Sequence, residues 1–200
     1  MVAQPQIDQE TFRFGTDGAE TTHGWVAAED TDISAGSGED VEFGTGFFIR
    51  IRVQEQNSKE ASNTTLKLQY SRNSGTWTDV NGSSSYVQSV GGTPADASTT
   101  TERLTGGTGT FIGATCYDEA DGAIGGGSLD IAQAGFCEGL WSIQVIEGDV
   151  SNGDTLDLKI VEGDDTVLNN DATSDKPRIS VVKAAPTASG TGWQMQGGWW

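Results

Sequence analysis

Apolar and polar side chains alternate with a period of two wherever the apolar residues of this chain concentrate. Phe47, Ile49, Ile51 and Val53 fall on one face of an extended segment, and Phe48, Arg50, Arg52 and Gln54 fall on the other. That is the pattern of a strand with one buried and one wet face. The same alternation sets Leu66, Leu68 and Tyr70 against Lys67, Gln69 and Ser71, and it recurs in Trp141-Ile143-Val145, Leu156-Leu158-Ile160 and Ile179-Val181. Shorter candidates are Thr11 to Phe14, Thr76 to Val80, Tyr86 to Val90 and Thr108 to Ala114, for about nine strands in all.

Turn chemistry fills the gaps. Asn73-Ser74-Gly75 separates two strand patterns and predicts a tight hairpin, with Gly75 supplying the positive φ. Val145-Ile146-Glu147-Gly148-Asp149 and Ile160-Val161-Glu162-Gly163-Asp164 repeat one strand exit, with Asn152-Gly153-Asp154 turning the chain between them. Sustained helical periodicity is absent, although Ser128 to Cys137 would fit a short helix. Many short strands with glycine-rich turns predict an all-β fold, an antiparallel β-sandwich of Ig-like or jelly-roll-like kind. The domain spans residues 10–183, with an N-terminal arm over 1–9 and a C-terminal arm over 184–200.

Composition agrees with strands. Only 34% of the 200 residues are hydrophobic and 28 are glycine, which weakens helices and suits turns. Charge narrows the partners. With 11 Lys and Arg against 29 Asp and Glu, the net charge of -18 repels phosphate backbones and anionic lipid. Nucleic acid and membrane surfaces are therefore not expected partners, and no apolar run approaches the roughly 20 residues that span a bilayer. Residues 1–9 lack the basic and apolar regions of a signal peptide. A charge this large calls for a reason beyond solubility: a saline habitat, cation sites or a basic partner surface.

Catalytic chemistry has little to stand on. His23 is the single histidine and lies in a Thr-Thr-His-Gly-Trp loop without a nucleophile elbow, where a solvated side chain is expected. Nucleotide-binding fingerprints are absent, and one His with two Cys cannot furnish an ordinary zinc site. No cofactor is expected. Calcium is the one metal the loops could hold, with Asp118, Glu119 and Asp121 among the candidate ligands. Cys116 and Cys137 are compatible with one disulfide or with two thiols.

Two features suggest contacts with other chains. Arg50, Arg52, Lys67 and Lys159 project from the outward faces of predicted strands and would form a basic panel if those strands share a sheet. Cross-strand pairing, for instance with Asp157, is the plainer expectation. Phe48 beside Arg50 and Arg52 would make an exposed aromatic-cationic face suited to a subunit contact. At the C-terminus, half of the six tryptophans fall in the last eight residues. Trp193, Met195, Trp199 and Trp200 would anchor the arm on a neighbouring copy or partner, or fold back on the domain.

The ordered set of Ala28-Glu29-Asp30-Thr31-Asp32-Ile33, Ile49-Arg50-Ile51-Arg52-Val53-Gln54-Glu55, Ser62-Asn63-Thr64 leading into LKLQYSRNSGTWTDV, and the later GTFIGATCYDEADG and LWSIQVIEGDVSNGDTLDLKI resembles a β-sandwich domain of virion proteins of tailed bacteriophages. The resemblance covers roughly residues 10–183. It implies a non-enzymatic structural protein of the virion, assembled in the host cytoplasm. A capsid decoration or cement protein is the leading form, attached to the major capsid protein or other virion proteins and to copies of itself, with a trimer as the expected homo-oligomer. A tail or fibre accessory or adhesion module is the alternative. Cys116, Cys137 and the tryptophan-bearing arm are not features of that pattern. A carbohydrate-binding sandwich is the rival from another class and requires Trp25, Trp77 or Trp141 to be exposed. A hydrolase using His23 comes third.

Overall fold

Eleven strands and no helix make up the regular structure of the residues described by the computed structural model, which are 5–93, 98–113, 123–163, 168 and 176–184. In chain order the strands are β1 (Ile7–Thr16), β2 (Ile33–Ala35), β3 (Phe47–Glu55), β4 (Ala61–Arg72), β5 (Trp77–Asp79), β6 (Val87–Ser89), β7 (Thr110–Phe111), β8 (Ala123–Ile131), β9 (Gly135–Val145), β10 (Thr155–Glu162) and β11 (Arg178–Val181). One sheet has the order β1-β3-β9-β6, with β7 also on β9; the other has the order β2-β11-β10-β4-β5, with β8 also on β4. Pairing is antiparallel except for β11 with β2 and β7 with β9. The two sheets pack face to face as an all-β sandwich.

The alternating apolar residues meet between the sheets. Phe12, Phe14, Ile49, Ile51, Val53, Trp141 and Ile143 from the first sheet join Leu66, Leu68, Tyr70, Leu156, Leu158, Ile160 and Ile179 from the second in one buried cluster. Every predicted strand is present, and two more appear. β2 is three residues long, too short for periodicity to show. β8 occupies part of the segment expected to form a helix. Its last residues alternate, with Leu129 and Ile131 buried and Asp130 exposed, and its backbone pairs along the first half of β4. That pairing leaves no helix there. β1 begins at Ile7, inside the segment assigned to the N-terminal arm, because Ile7 is buried in the core and pairs with Glu55.

The β4–β5 hairpin differs from expectation in one detail. Positive φ falls on Asn73 (51°) and Ser74 (58°), the two central positions of a two-residue turn closed by the Gly75 N–H donating to the Arg72 carbonyl at 2.9 Å. Gly75 serves a steric need instead: a Cβ there would lie 2.9 Å from that same carbonyl oxygen.

An outer edge of each sheet is sealed. Along β1, Val26 N–H donates to the Phe14 carbonyl and Asp30 N–H to the Phe12 carbonyl, both at 2.9 Å, while Asp30 Oδ1 accepts from Phe12 N–H at 3.0 Å. Along β2, Asp40 Oδ2 accepts from Ser34 N–H at 2.8 Å, and Gly36 and Val41 complete a bridge. Capped edges of this kind resist pairing with other chains.

Candidate functional site

The outward face of β3 is not wet. Phe48, Arg50 and Arg52 are 0%, 0% and 5% exposed, and all nine residues of β3 are buried. Segments 17–30 and 98–108 lie across this face and supply partners for its charges. Arg50 Nη2 donates to Glu20 at 2.5 Å, and Nη1 donates to Glu138 at 2.7 Å and to the Thr101 carbonyl at 2.8 Å. Glu138, on the neighbouring strand β9, also accepts from the N–H groups of Arg103 and Leu104. Arg52 donates to Glu10 at 2.9 Å and to the Thr105 carbonyl at 2.7 Å. Stripped of these partners, such buried charges would cost several kcal/mol each.

Trp25 and His23 complete the cover. Two guanidiniums lie over the Trp25 ring, Arg13 at 4.5 Å and Arg103 at 4.6 Å from its centroid. His23 is buried against Trp25 and Phe48, with Arg103 Nη1 2.8 Å from its Nδ1. A Cβ on Gly15 would lie 2.8 Å from the imidazole, so the close approach of the ring requires glycine. Burial, then the charges of Arg103 and Arg50, push the His23 pKa from 6.5 down to about 4. The ring is thus neutral near pH 7, not a solvated loop side chain. Burial raises the Glu20 pKa, but hydrogen bonds from Thr101 and Arg50 outweigh it and hold the carboxyl below its ordinary value. This cluster clamps two loops to the first sheet.

The expected basic panel is split between opposite sides of the sandwich, since β3 belongs to one sheet while β4 and β10 belong to the other. Lys67 pairs with Asp79 at 3.1 Å, and Asp157 takes Arg178 at 2.6 Å instead of a lysine. The exposed Phe48-Arg50-Arg52 contact face is overturned by the loops that cover it. Trp193, Met195, Trp199, Trp200, Asp118, Glu119, Asp121 and Cys116 lie outside the described residues, and Cys137 is buried in the core. Among the described residues, no group of three or more His, Cys, Asp or Glu could hold a metal ion.

An accessible concavity lies on the other sheet. A cleft of about 390 Å³ is lined by Asp32, Ser71, Ser74, Gly75, Trp77, Asp157, Lys176 and Arg178. Its floor is one cross-strand row: Trp77 pairs with Ser71, Ser71 with Asp157, and Asp157 with Arg178. Trp141 is buried and Trp25 packs against Arg13 and Arg103, so of the three strand and loop tryptophans Trp77 alone lines this cleft. Sequence reasoning did not find the row, because its members come from four strands whose order only the fold reveals. Nor did it find Glu20, Arg103 and Glu138; the available signal was a glutamate inside the apolar run Gly135 to Val145.

Comparison with models of protein families, with curated proteins and with solved structures returns no match.

Proposed function

We propose that the protein is a non-enzymatic structural component of a tailed-phage virion, a capsid decoration protein attached through its terminal arms to the shell and to neighbouring copies. The observation that carries this reading is where the segments of the phage-like pattern fall. Ile49–Glu55 lies in β3, LKLQYSRNSGTWTDV forms the β4–β5 hairpin, and LWSIQVIEGDVSNGDTLDLKI runs through β9 and β10. β3 and β9 are the middle of one sheet and β10 and β4 lie inside the other, with β5 at its end, so the resemblance concerns the framework of the sandwich and not one interchangeable turn.

Surface chemistry supports attachment through the arms. Among the described residues one large hydrophobic side chain, Val182, is exposed, at 39%, and the capped edges of β1 and β2 offer no free ladder. Stable association needs a desolvated aromatic or aliphatic anchor. Trp193, Met195, Trp199 and Trp200 supply such groups, and many symmetric copies multiply a modest contact into durable occupancy. His23 supports a non-catalytic role, since an arginine, an indole and a phenyl ring pack around its imidazole. Removing residues 190–200 tests the reading: the shortened chain is expected to fold with an unchanged unfolding midpoint and to be missing from assembled particles. Full occupancy without those residues would refute arm-mediated attachment.

A further inference from the structure

We propose that Asn81 is a site of spontaneous backbone modification, at which the Gly82 amide closes a succinimide and the asparagine is converted to aspartate and isoaspartate. The inference stands apart from the virion reading. Asparagine followed by glycine occurs twice in the chain, at Asn81-Gly82 and at Asn152-Gly153. Glycine has no Cβ to hinder ring closure and leaves the chain free to adopt the conformation it needs. Both pairs sit in turns between strands with the glycine exposed, one ahead of β6 and the other ahead of β10. Sequence and turn do not separate them.

Hydrogen bonding does. The Gly153 N–H, the nucleophile at the second pair, donates to the Val181 carbonyl at 2.9 Å, and Asn152 Oδ1 accepts from the Lys183 N–H at 2.9 Å. Attack there must first break the bond that ties the turn to β11. The Gly82 N–H has no acceptor among the described residues. Asn81 Oδ1 accepts from both the N–H and the hydroxyl of Ser83, each at 2.9 Å. These two donors face the oxygen on which negative charge develops when the amide carbon is attacked, the arrangement that stabilises a tetrahedral intermediate.

The step needs only water and hydroxide. Hydroxide removes the Gly82 amide proton, the nitrogen bonds to Asn81 Cγ, and the Cγ–Nδ2 bond breaks as Nδ2 takes a proton from water and leaves as ammonia. Water then opens the five-membered imide. Breaking the new N–Cγ bond leaves aspartate, whereas breaking the original peptide bond leaves isoaspartate, whose main chain runs through Cγ and is one carbon longer. The position gives this change a structural consequence. Val80 N–H donates to the Leu68 carbonyl of β4 in the second sheet, and the Asn81 carbonyl accepts from Ser89 N–H of β6 in the first at 3.0 Å. Position 81 is where the chain passes from one sheet to the other, and isoaspartate takes that carbonyl out of the main chain.

The test is peptide mapping by mass spectrometry of the full-length chain incubated at pH 8, once folded and once in enough urea to unfold it, with isoaspartate marked by an isoaspartyl methyltransferase. In the folded chain, conversion at position 81 is expected to run at least about tenfold faster than at position 152, the effect of two ordinary hydrogen bonds holding the slower site. In urea the two rates are expected to become similar, because neither glycine amide is then held. Conversion at position 152 as fast as at position 81 in the folded chain would overturn the proposal. So would an unmodified position 81 after a time in which the unfolded chain has reacted, or the same preference in urea, which would trace it to flanking sequence and not to the fold. None of these outcomes bears on whether the protein occupies a virion.

Discussion

Arg50 holds two carboxylates with no solvent around its side chain, so the cost of removing it lies mainly in what is left behind. In Arg50→Met, Glu20 and Glu138 lose their shared cation while still buried. A loss of about 3–5 kcal/mol is expected in chemical denaturation, as for other broken buried pairs. Replacing Glu20 and Glu138 by Gln in the same chain is expected to restore part of it, because no uncompensated charge then remains. His23 makes a separate prediction about pH. Its pKa falls from 6.5 to about 4 on folding, so between those values the unfolded chain binds a proton that the folded chain does not. Stability therefore drops as pH falls through that window, and the carboxyls held low, Glu20 and Asp154, extend the loss to more acid pH. Urea midpoints measured at pH 7 and pH 5 are expected to differ less in His23→Gln than in the unsubstituted chain. None of this cluster was legible in the sequence beyond the alternation that set Arg50 and Arg52 opposite Ile49 and Ile51. Alternation assigns a face, but whether that face meets water depends on loops whose course has no periodic signature.

At the scale of elements, the long strands were legible because each combines alternation with flanking turn residues. β2 and β8 were not, one for its length and the other because glycines at 125–127 dilute any pattern. The β4–β5 turn was located correctly and misassigned within. Asn73 tolerates the left-handed region, whereas Ser74 takes a φ of 58° at a cost that glycine avoids. Ser74→Gly is expected to raise stability by up to about 1 kcal/mol, read as a higher denaturation midpoint. Asp30 belongs to the same scale, since its carboxylate and backbone both cap β1. Asp30→Ala is expected to speed hydrogen exchange at the Phe12 amide while leaving the β10 amides protected.

The whole molecule carries a charge of -18, and its many exposed carboxylates repel one another across the surface. Raising salt from 10 mM to 1 M shortens the screening length from about 30 to 3 Å. The thermal midpoint is expected to rise over that range, while the buried pairs of Arg50 feel little of the change. The sandwich itself was legible from strand patterns. The cross-strand row under the Trp77 cleft was not, because strand order across a sheet is a property of the fold. The proposal that this molecule resides in a tailed-phage virion is tested most directly by counting. Under that proposal the chain is encoded by a phage, and quantitative mass spectrometry of that phage's purified particles, calibrated on the major capsid protein, gives copies per virion. Hundreds of copies in a simple ratio to the shell protein are predicted for a decoration protein. A few copies would place it on the tail instead, and its absence from the particle would contradict the account.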